Sequence, residues 1–206
     1  MKDGVFITLE GPDGSGKSTQ IKRIKDFLAQ HGHEALVTRE PGGTPISEKI
    51  RTIILDRDNT EMDPVAEAML YAAARAQHVA QVIRPALSRG IHVICDRFLD
   101  SSIAYQGYGR GLGDSVAVLN AYAVRDCIPD VTFLMKLDPQ TGKERISGSL
   151  MDRIELEAMD FHQRVFWGYQ ELELQYPDRI IGVDAARSAD EISEEILGHI
   201  ERLLAR

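Results

Sequence analysis

Apolar residues along the chain fall into short runs, separated by longer stretches in which they recur every three or four positions. Val5, Phe6, Ile7 and Leu9 form the first run, which predicts a buried strand. Ile21, Ile24, Phe27 and Leu28 then keep helical spacing over 19–28, and Gly32 stands where such a helix stops. Ala35-Leu36-Val37-Thr38 predicts a second strand, and Pro41-Gly42-Gly43-Thr44-Pro45 a loop. Ile46, Ile50, Ile53 and Ile54 share one side of a helix over 46–55. Asp63-Pro64 opens a long helix, with Asp63 as its cap and Pro64 at its first position. Met69, Leu70, Ala73, Val79, Val82 and Ile83 are expected on its inward side. Pro85 should kink or restart it and Gly90 end it.

Ile91-His92-Val93-Ile94-Cys95 predicts the third strand. The four glycines from Gly107 to Gly113 predict a loop, after which Asp114 caps a helix reaching about residue 126. Val131-Thr132-Phe133-Leu134-Met135 is the fourth strand, followed by a turn at Asp138-Pro139. Ser147-Gly148-Ser149 breaks the pattern, and a helix over 154–175 stops before Pro177. Arg179-Ile180-Ile181-Gly182-Val183 is a fifth strand. Ser188-Ala189-Asp190-Glu191 reads as a capping box, and Ile192, Ile196, Ile200 and Leu203 mark the inner face of a last helix. Strands alternating with helices predict an α/β fold, a parallel sheet of about five strands covered on both faces in three layers. Right-handed crossovers then place ligands beyond the carboxyl ends of the strands.

Between the first strand and its helix, Gly11-Pro12-Asp13-Gly14-Ser15-Gly16-Lys17-Ser18 fits G-x-x-x-x-G-K-[ST], a phosphate-binding loop. Glycines let backbone N–H groups close around phosphate oxygens, and the helix that follows directs its positive end there. Lys17 can reach the β- and γ-phosphates, and the Ser18 hydroxyl can ligate Mg²⁺. Asp96-Arg97-Phe98 follows the third strand directly, which places Asp96 as a second acid for Mg²⁺ and Arg97 as a phosphate grip. Arg39 ends the second strand and faces the same crevice, or is a solvated loop charge. Tyr71 and Arg75, four apart, share one helix face, and Ser101 to Gln106 carry hydroxyls, a ring and an amide. These side chains suit a planar base and its sugar, or an ordinary packed helix.

Charge and composition narrow the field. The net charge of −8 over 206 residues argues against broad nucleic-acid or anionic-membrane binding. No apolar run approaches membrane-spanning length, and Met1-Lys2-Asp3-Gly4 runs straight into a strand, without a signal peptide. Cys95 and Cys127 form no CxxC pair, and free thiols suit a reducing cytoplasm. The six histidines lack metal-ligand spacing and are expected to be structural or exposed. The length fits one domain, 1–206, with a small lid at about 142–155.

Taken together, these segments resemble thymidylate kinase, from the first strand to the last. The resemblance rests on Gly11 to Thr19, on Thr38-Arg39-Glu40-Pro41-Gly42-Gly43-Thr44 and on Tyr71-Ala72-Ala73-Ala74-Arg75-Ala76-Gln77-His78. It extends through Asp96-Arg97-Phe98, Ser101-Ser102-Ile103-Ala104-Tyr105-Gln106-Gly107 and Asp152-Arg153-Ile154-Glu155. It implies transfer of the ATP γ-phosphoryl group to dTMP with Mg²⁺, a P-loop kinase fold with a lid, and a homodimer. By motif, Gly11, Pro12, Asp13, Gly14, Ser15, Gly16, Lys17, Ser18 and Thr19 would hold ATP. Arg97 would bind the dTMP phosphate with Arg39 beside it, and Asp13 would lie near the sugar 3′-hydroxyl or the metal. Tyr71, in place of the family's usual Phe, would stack on thymine. Arg75 and Gln106 would hydrogen-bond the base with Ser102 nearby, and Tyr105 would stand against the sugar. Ala74 stands where the family often has Asp, and the segment from Arg145 to Arg153 is poorer in arginine than the usual bacterial lid. Two other readings stay open: a kinase for another nucleoside monophosphate, and a non-catalytic P-loop regulator or switch GTPase. For the GTPase, the sequence has no Asn-Lys-x-Asp guanine-reading motif.

The variable loop positions Pro12, Asp13, Gly14 and Ser15 include no basic residue, so the charge that stabilises the moving phosphoryl group must come from elsewhere. Arg145 and Arg153 are the only arginines between the fourth strand and the long helix. Arg153 is expected to be the main lid arginine, with Arg145 secondary and Ser147-Gly148-Ser149 as the hinge; the competing reading is that Arg153 merely pairs with Asp152 or Glu155.

Overall fold

A computed structural model describes residues 4–146, 148 and 151–205. Among them, five strands form one parallel sheet in the order β2-β3-β1-β4-β5. The strands are β1 (Phe6–Glu10), β2 (Ala35–Arg39), β3 (His92–Asp96), β4 (Val131–Lys136) and β5 (Ile180–Asp184). Side chains alternate across the pleat and both faces are covered, so β1 is buried along its whole length. On one face Ile7, Leu9, Phe133 and Met135 pack against Ile24 and Leu28 of α1 (Lys17–Gln30) and Ile196 and Ile200 of α9 (Ala189–Leu204). On the other, Phe6, Val93 and Cys95 pack against Val79, Ile83 and Phe98. The register sets Asp96 beside both Leu9 and Arg39, so the carboxyl ends of β1, β2 and β3 open onto one crevice.

Two of the three helix starts read from sequence carry their side-chain caps. The Asp63 carboxylate accepts from the Val65 and Ala66 amides at the start of α3 (Pro64–His78). Ser188 and Glu191 form a reciprocal capping box on α9. Helix α2 spans Pro45–Leu55, capped by Thr44.

Several expectations need correction. Met69 and Ala73 are exposed, and the inward side of α3 is Ala68, Ala72 and Ala74 together with the polar Glu67, Arg75 and His78. The helix runs on through a π turn (Val79–Ile83) into α4 (Arg84–Leu87), which carries Pro85. The wider turn accommodates the missing N–H of the proline. Gly107 and Gly109 are helical, within α5 (Leu99–Ser102) and the π segment Ile103–Gly109 that continues it. A Cβ on Gly109 would lie 2.7 Å from Phe161 of α8 (Met159–Gln175), so glycine here serves close helix packing, not a loop. Asp138-Pro139 starts a helix, α7 (Pro139–Arg145), with Asp138 accepting from the Thr141 amide. Helix α8 starts at Met159, five residues beyond the expected 154. Helix α6 spans Ser115–Val124, although Asp114 makes no side-chain cap bond. Of the expected hinge, Ser147 and Ser149 lie outside the described residues, as do Met1, Lys2 and Asp3.

Candidate active site

The loop between β1 and α1 closes on itself. Gly14 and Gly16 have φ of 78° and 88°, a left-handed backbone that glycine adopts without strain. Lys17 Nζ donates to the Gly11 and Pro12 carbonyls at 3.1 and 2.9 Å. Burial, together with the nearby Arg97 charge, lowers the Lys17 ammonium to about 8. A polyanion here would reverse that shift by supplying opposite charge. Helix α7 lies directly on the loop, since a Cβ on Gly14 would stand 2.5 Å from the Gly142 carbonyl.

Arg97 forms the junction of the site. It leaves β3 with φ of 66°, a conformation that costs a non-glycine residue about 1–2 kcal/mol. Its Nη2 donates to Asp13 Oδ1 at 2.8 Å, and its Nη1 to the Ser101 and Tyr169 hydroxyls at 3.3 Å each. The guanidinium carbon stands 5.2 Å from the centre of the Tyr105 ring. Burial works to raise the Asp13 carboxyl, but Arg97 and Lys17 outweigh it and hold it at about 2. Beneath Arg97, the buried Glu10 carboxylate accepts from the Phe98 amide at 2.7 Å, Ser101 Oγ at 2.5 Å and Tyr169 OH at 3.0 Å. Burial, with Asp100 adding to it, pushes the Glu10 carboxyl up to about 7.

Two cavities meet at Asp13 and Arg97. The first, of about 160 Å³, is lined by Tyr71 and Arg75 of α3, by Ser102, Tyr105 and Gln106, and by Arg51, Asp152 and Glu155. Arg75 is buried, and four of its five N–H groups are engaged. They go to Glu40 at 2.7 Å, Ser102 at 2.8 Å, Asn120, and the Phe98 carbonyl at 2.8 Å. The same Glu40 holds the buried His78 at 2.8 Å. The second cleft, of about 430 Å³, is lined by Lys17, Ser18, Arg39, Arg51, Asp96 and Arg145, with Gly14 and Gly16. Asp96 Oδ1 is buried there with no hydrogen-bond partner among the described residues. Arg39 reaches this cleft, with Nη2 paired to Glu48 at 3.0 Å.

Of the sequence-derived residues, Asp13, Lys17, Ser18, Arg39, Tyr71, Arg75, Asp96, Arg97, Ser102, Tyr105 and Gln106 line the two cavities, and Arg153 does not. Arg153 points away from the loop. Its Nη2 donates to the buried Glu67 at 2.6 Å and its Nε to the Ile54 carbonyl at 2.9 Å. That buried anion, 86 positions earlier in the chain, holds the guanidinium out of the phosphate cleft and corrects the expected placement. Arg145, at the end of α7, faces the cleft instead, donating to the Gly14 and Ala185 carbonyls at 3.3 and 3.2 Å. Sequence reasoning missed Arg51, Tyr169, Glu40 and Glu10. Glu10 had a signal: a carboxylate closing an apolar strand just before the loop.

Comparison with known proteins bears directly on this arrangement. Residues 9–196 match the family described as "Thymidylate kinase". The thymidylate kinase of Exiguobacterium sp. strain AT1b is 51% identical, with 97% of this chain and 96% of that protein covered. The thymidylate kinase of Lactobacillus delbrueckii subsp. bulgaricus is 53% identical, with 92% of each covered. The crystal structure of thymidylate kinase from Ehrlichia chaffeensis superposes with a TM-score of 0.78 at 31% identity, covering 96% of this chain and 99% of that one. Among the described residues, no helix is long and apolar enough to cross a membrane. A phosphate loop and an arginine junction between two cavities, on a five-stranded parallel sheet, thus go with near full-length similarity, and the chain belongs to the thymidylate kinase family of ATP-dependent phosphotransferases.

Proposed function

We propose that this kinase moves the ATP γ-phosphoryl group to dTMP across Arg97, with ATP in the cleft lined by Lys17 and dTMP in the cavity lined by Tyr71 and Arg75. The observation that carries this reading is Arg97 itself: left-handed, anchored to Asp13 at 2.8 Å, and placed where the two cavities meet. A planar guanidinium fits a phosphate by two parallel donors. Asp13 stays ionised at neutral pH, so it orients Arg97 and the sugar hydroxyl and takes up no proton. A phosphate oxygen is already an anionic nucleophile, so the reaction rests on positioning and charge. Gly11 to Thr19 hold the triphosphate, with Lys17 on its terminal oxygens. Tyr71 stacks on the base, Arg75 offers it its remaining N–H, Gln106 and Ser102 complete the edge, and Tyr105 packs on the deoxyribose. Arg39 and Arg51 stand by the acceptor phosphate.

Arg145 is the lid arginine in this reading, and 142–155 is the lid. Its side chain already reaches the loop, while Arg153 is committed to Glu67. Ser18 and Asp96 would hold Mg²⁺. The unpartnered, buried Asp96 Oδ1 suits a hard cation or one of its waters. When bound, the ion neutralises charge on the β- and γ-phosphate oxygens. Exposed apolar residues on adjacent helices, Val65 and Met69 of α3 and Val118 and Tyr122 of α6, support a homodimer. Two buried free thiols support a cytoplasmic location, with the chain acting in dTTP synthesis. The test is a coupled ADP-release assay with Arg97→Ala: KM for dTMP should rise at least about a hundredfold, with ATP affinity changed little. An unchanged KM for dTMP would remove Arg97 from the acceptor site.

A further inference from the structure

Glu67 makes none of the substrate contacts assigned above, yet it is wholly buried on the same face of α3 as Tyr71 and Arg75. Its Oε1 accepts from Gln106 Nε2 at 2.9 Å and from Arg110 Nε at 3.1 Å. Its Oε2 accepts from Arg110 Nη2 at 3.0 Å and Arg153 Nη2 at 2.6 Å. Four donors from three residues on two separate segments converge on one carboxylate, which fills its lone pairs. Burial alone would raise the Glu67 carboxyl, but bonds from Arg110, Gln106 and Arg153 overcome this and hold it below the usual range.

An ionised carboxylate only accepts. The end of the Gln106 amide that faces Glu67 must therefore be the NH₂, which turns the carbonyl oxygen the other way. Among the described residues nothing donates to that oxygen, and Gln106 lines the acceptor cavity. Among the described residues, Arg75 has four N–H groups engaged and one left. Between them, Gln106 and Arg75 thus offer a base edge one acceptor and one donor. An imide edge, with a ring N–H beside a carbonyl, satisfies both. An amino-pyrimidine edge, with a bare ring nitrogen beside an amine, sets acceptor against acceptor and donor against donor.

We propose that Glu67 is a positioning residue that fixes the Gln106 amide with its oxygen toward the acceptor base and so sets the preference for an imide pyrimidine over an amino-pyrimidine. This rests on the reading of the cavity as the base site. The test compares kcat/KM for dTMP and dCMP in wild type, Glu67→Gln, Gln106→Leu and the double variant. An amide at position 67 can face Gln106 either way, so its orientation is released while the shape is kept. Glu67→Gln should lower the dTMP/dCMP ratio at least about tenfold, chiefly through KM, as expected when a site built to pair with a ring N–H loses that arrangement. In the Gln106→Leu background the same change should alter the ratio less than about twofold, because its effect runs through Gln106. Glu67→Asp, which keeps the charge for both arginines but draws back from the amide, serves if Glu67→Gln does not fold, and should lower the ratio at least about threefold. An equal fall in both backgrounds, or a lower melting temperature with an unchanged ratio, overturns the role of Glu67. If Gln106→Leu itself keeps the wild-type ratio and KM, the base-site reading has failed, and the role of Glu67 with it.

Discussion

Arg97 carries both backbone strain and function, and two substitutions separate them. With φ at 66°, a non-glycine side chain costs about 1–2 kcal/mol, which glycine relieves at an entropic cost of up to about 1 kcal/mol. The ion pair to Asp13 involves a carboxylate 40% exposed, so after screening it contributes about 0–1 kcal/mol. Arg97→Gly should therefore fold within about 1 kcal/mol of wild type. Arg97→Ala keeps the strain and should be about 1 kcal/mol less stable than the glycine variant, a gap of roughly 2–4 °C in Tm for a chain of this size. Both lose the guanidinium that, alone among the described residues, bonds Asp13 at the meeting of the two cavities. In the proposed reading each also loses the Arg97–phosphate pair, and truncating one side of such a desolvated, hydrogen-bonded charge pair costs about 2–5 kcal/mol, so kcat/KM for dTMP should fall at least about a hundredfold in each. Thermal melts and coupled ADP release across a dTMP series measure both quantities. The reasoning fails if alanine melts above glycine, or if either variant keeps kcat/KM within tenfold of wild type.

Lys17→Ala should nearly abolish turnover while dTMP affinity, measured by calorimetry, stays near wild type; lost dTMP binding with normal turnover at saturation would contradict the assignment. Because the free Lys17 ammonium is lowered to about 8 and phosphate favours its charged form, ATP binding at pH 8 should take up protons, read by calorimetry in two buffers of different ionisation enthalpy. Arg145→Ala should lower kcat at least about tenfold with little change in Tm, whereas Arg153→Ala should chiefly lose stability, about 2–3 kcal/mol for the charged bond to Glu67. Kinetics and melts of the pair check this, and the reverse pattern would restore Arg153 to the phosphate cleft. Glu10, raised from 4.5 to about 7, contributes stability that is complete below about pH 4.5 and lost as pH rises through 7. That loss is on the order of 3 kcal/mol. Urea midpoints between pH 5 and 8 should fall in wild type and stay flatter in Glu10→Gln; equal slopes would show that Glu10 does not titrate there.

The strands and the phosphate loop were legible because their signals are local. An apolar run, a glycine pattern or a Ser188–Glu191 box lies within a few positions of what it specifies. Helix α7 carried the same Asp-Pro signature as α3 and was read as a turn; the wider pattern after Pro139 is polar, so no apolar stripe advertised it. The helical Gly109 was illegible in principle, since its reason is Phe161 on another helix. The inward face of α3 was misjudged because hydrophobicity ranks Met69 above Arg75. Arg75 is buried because Glu40, 35 positions away, neutralises it. Arg153 went astray likewise: the arginine count of the lid was visible, but the Glu67 anion that captures one of them was not. Asp13, Arg39 and Asp96-Arg97 reach one crevice because each lies at or just beyond the end of a strand whose register brings it there.

The central claim is the identity of the acceptor. Purified enzyme with ATP and Mg²⁺, offered dTMP, dUMP, UMP, CMP and AMP in turn, should release ADP in proportion to dTMP and form dTDP, identified by chromatography. CMP and AMP, whose base edges lack the imide N–H, should be at least about tenfold poorer in kcat/KM, as a site that pairs with its base edge requires. ADP release that is independent of dTMP, or faster with CMP or AMP, would contradict the account.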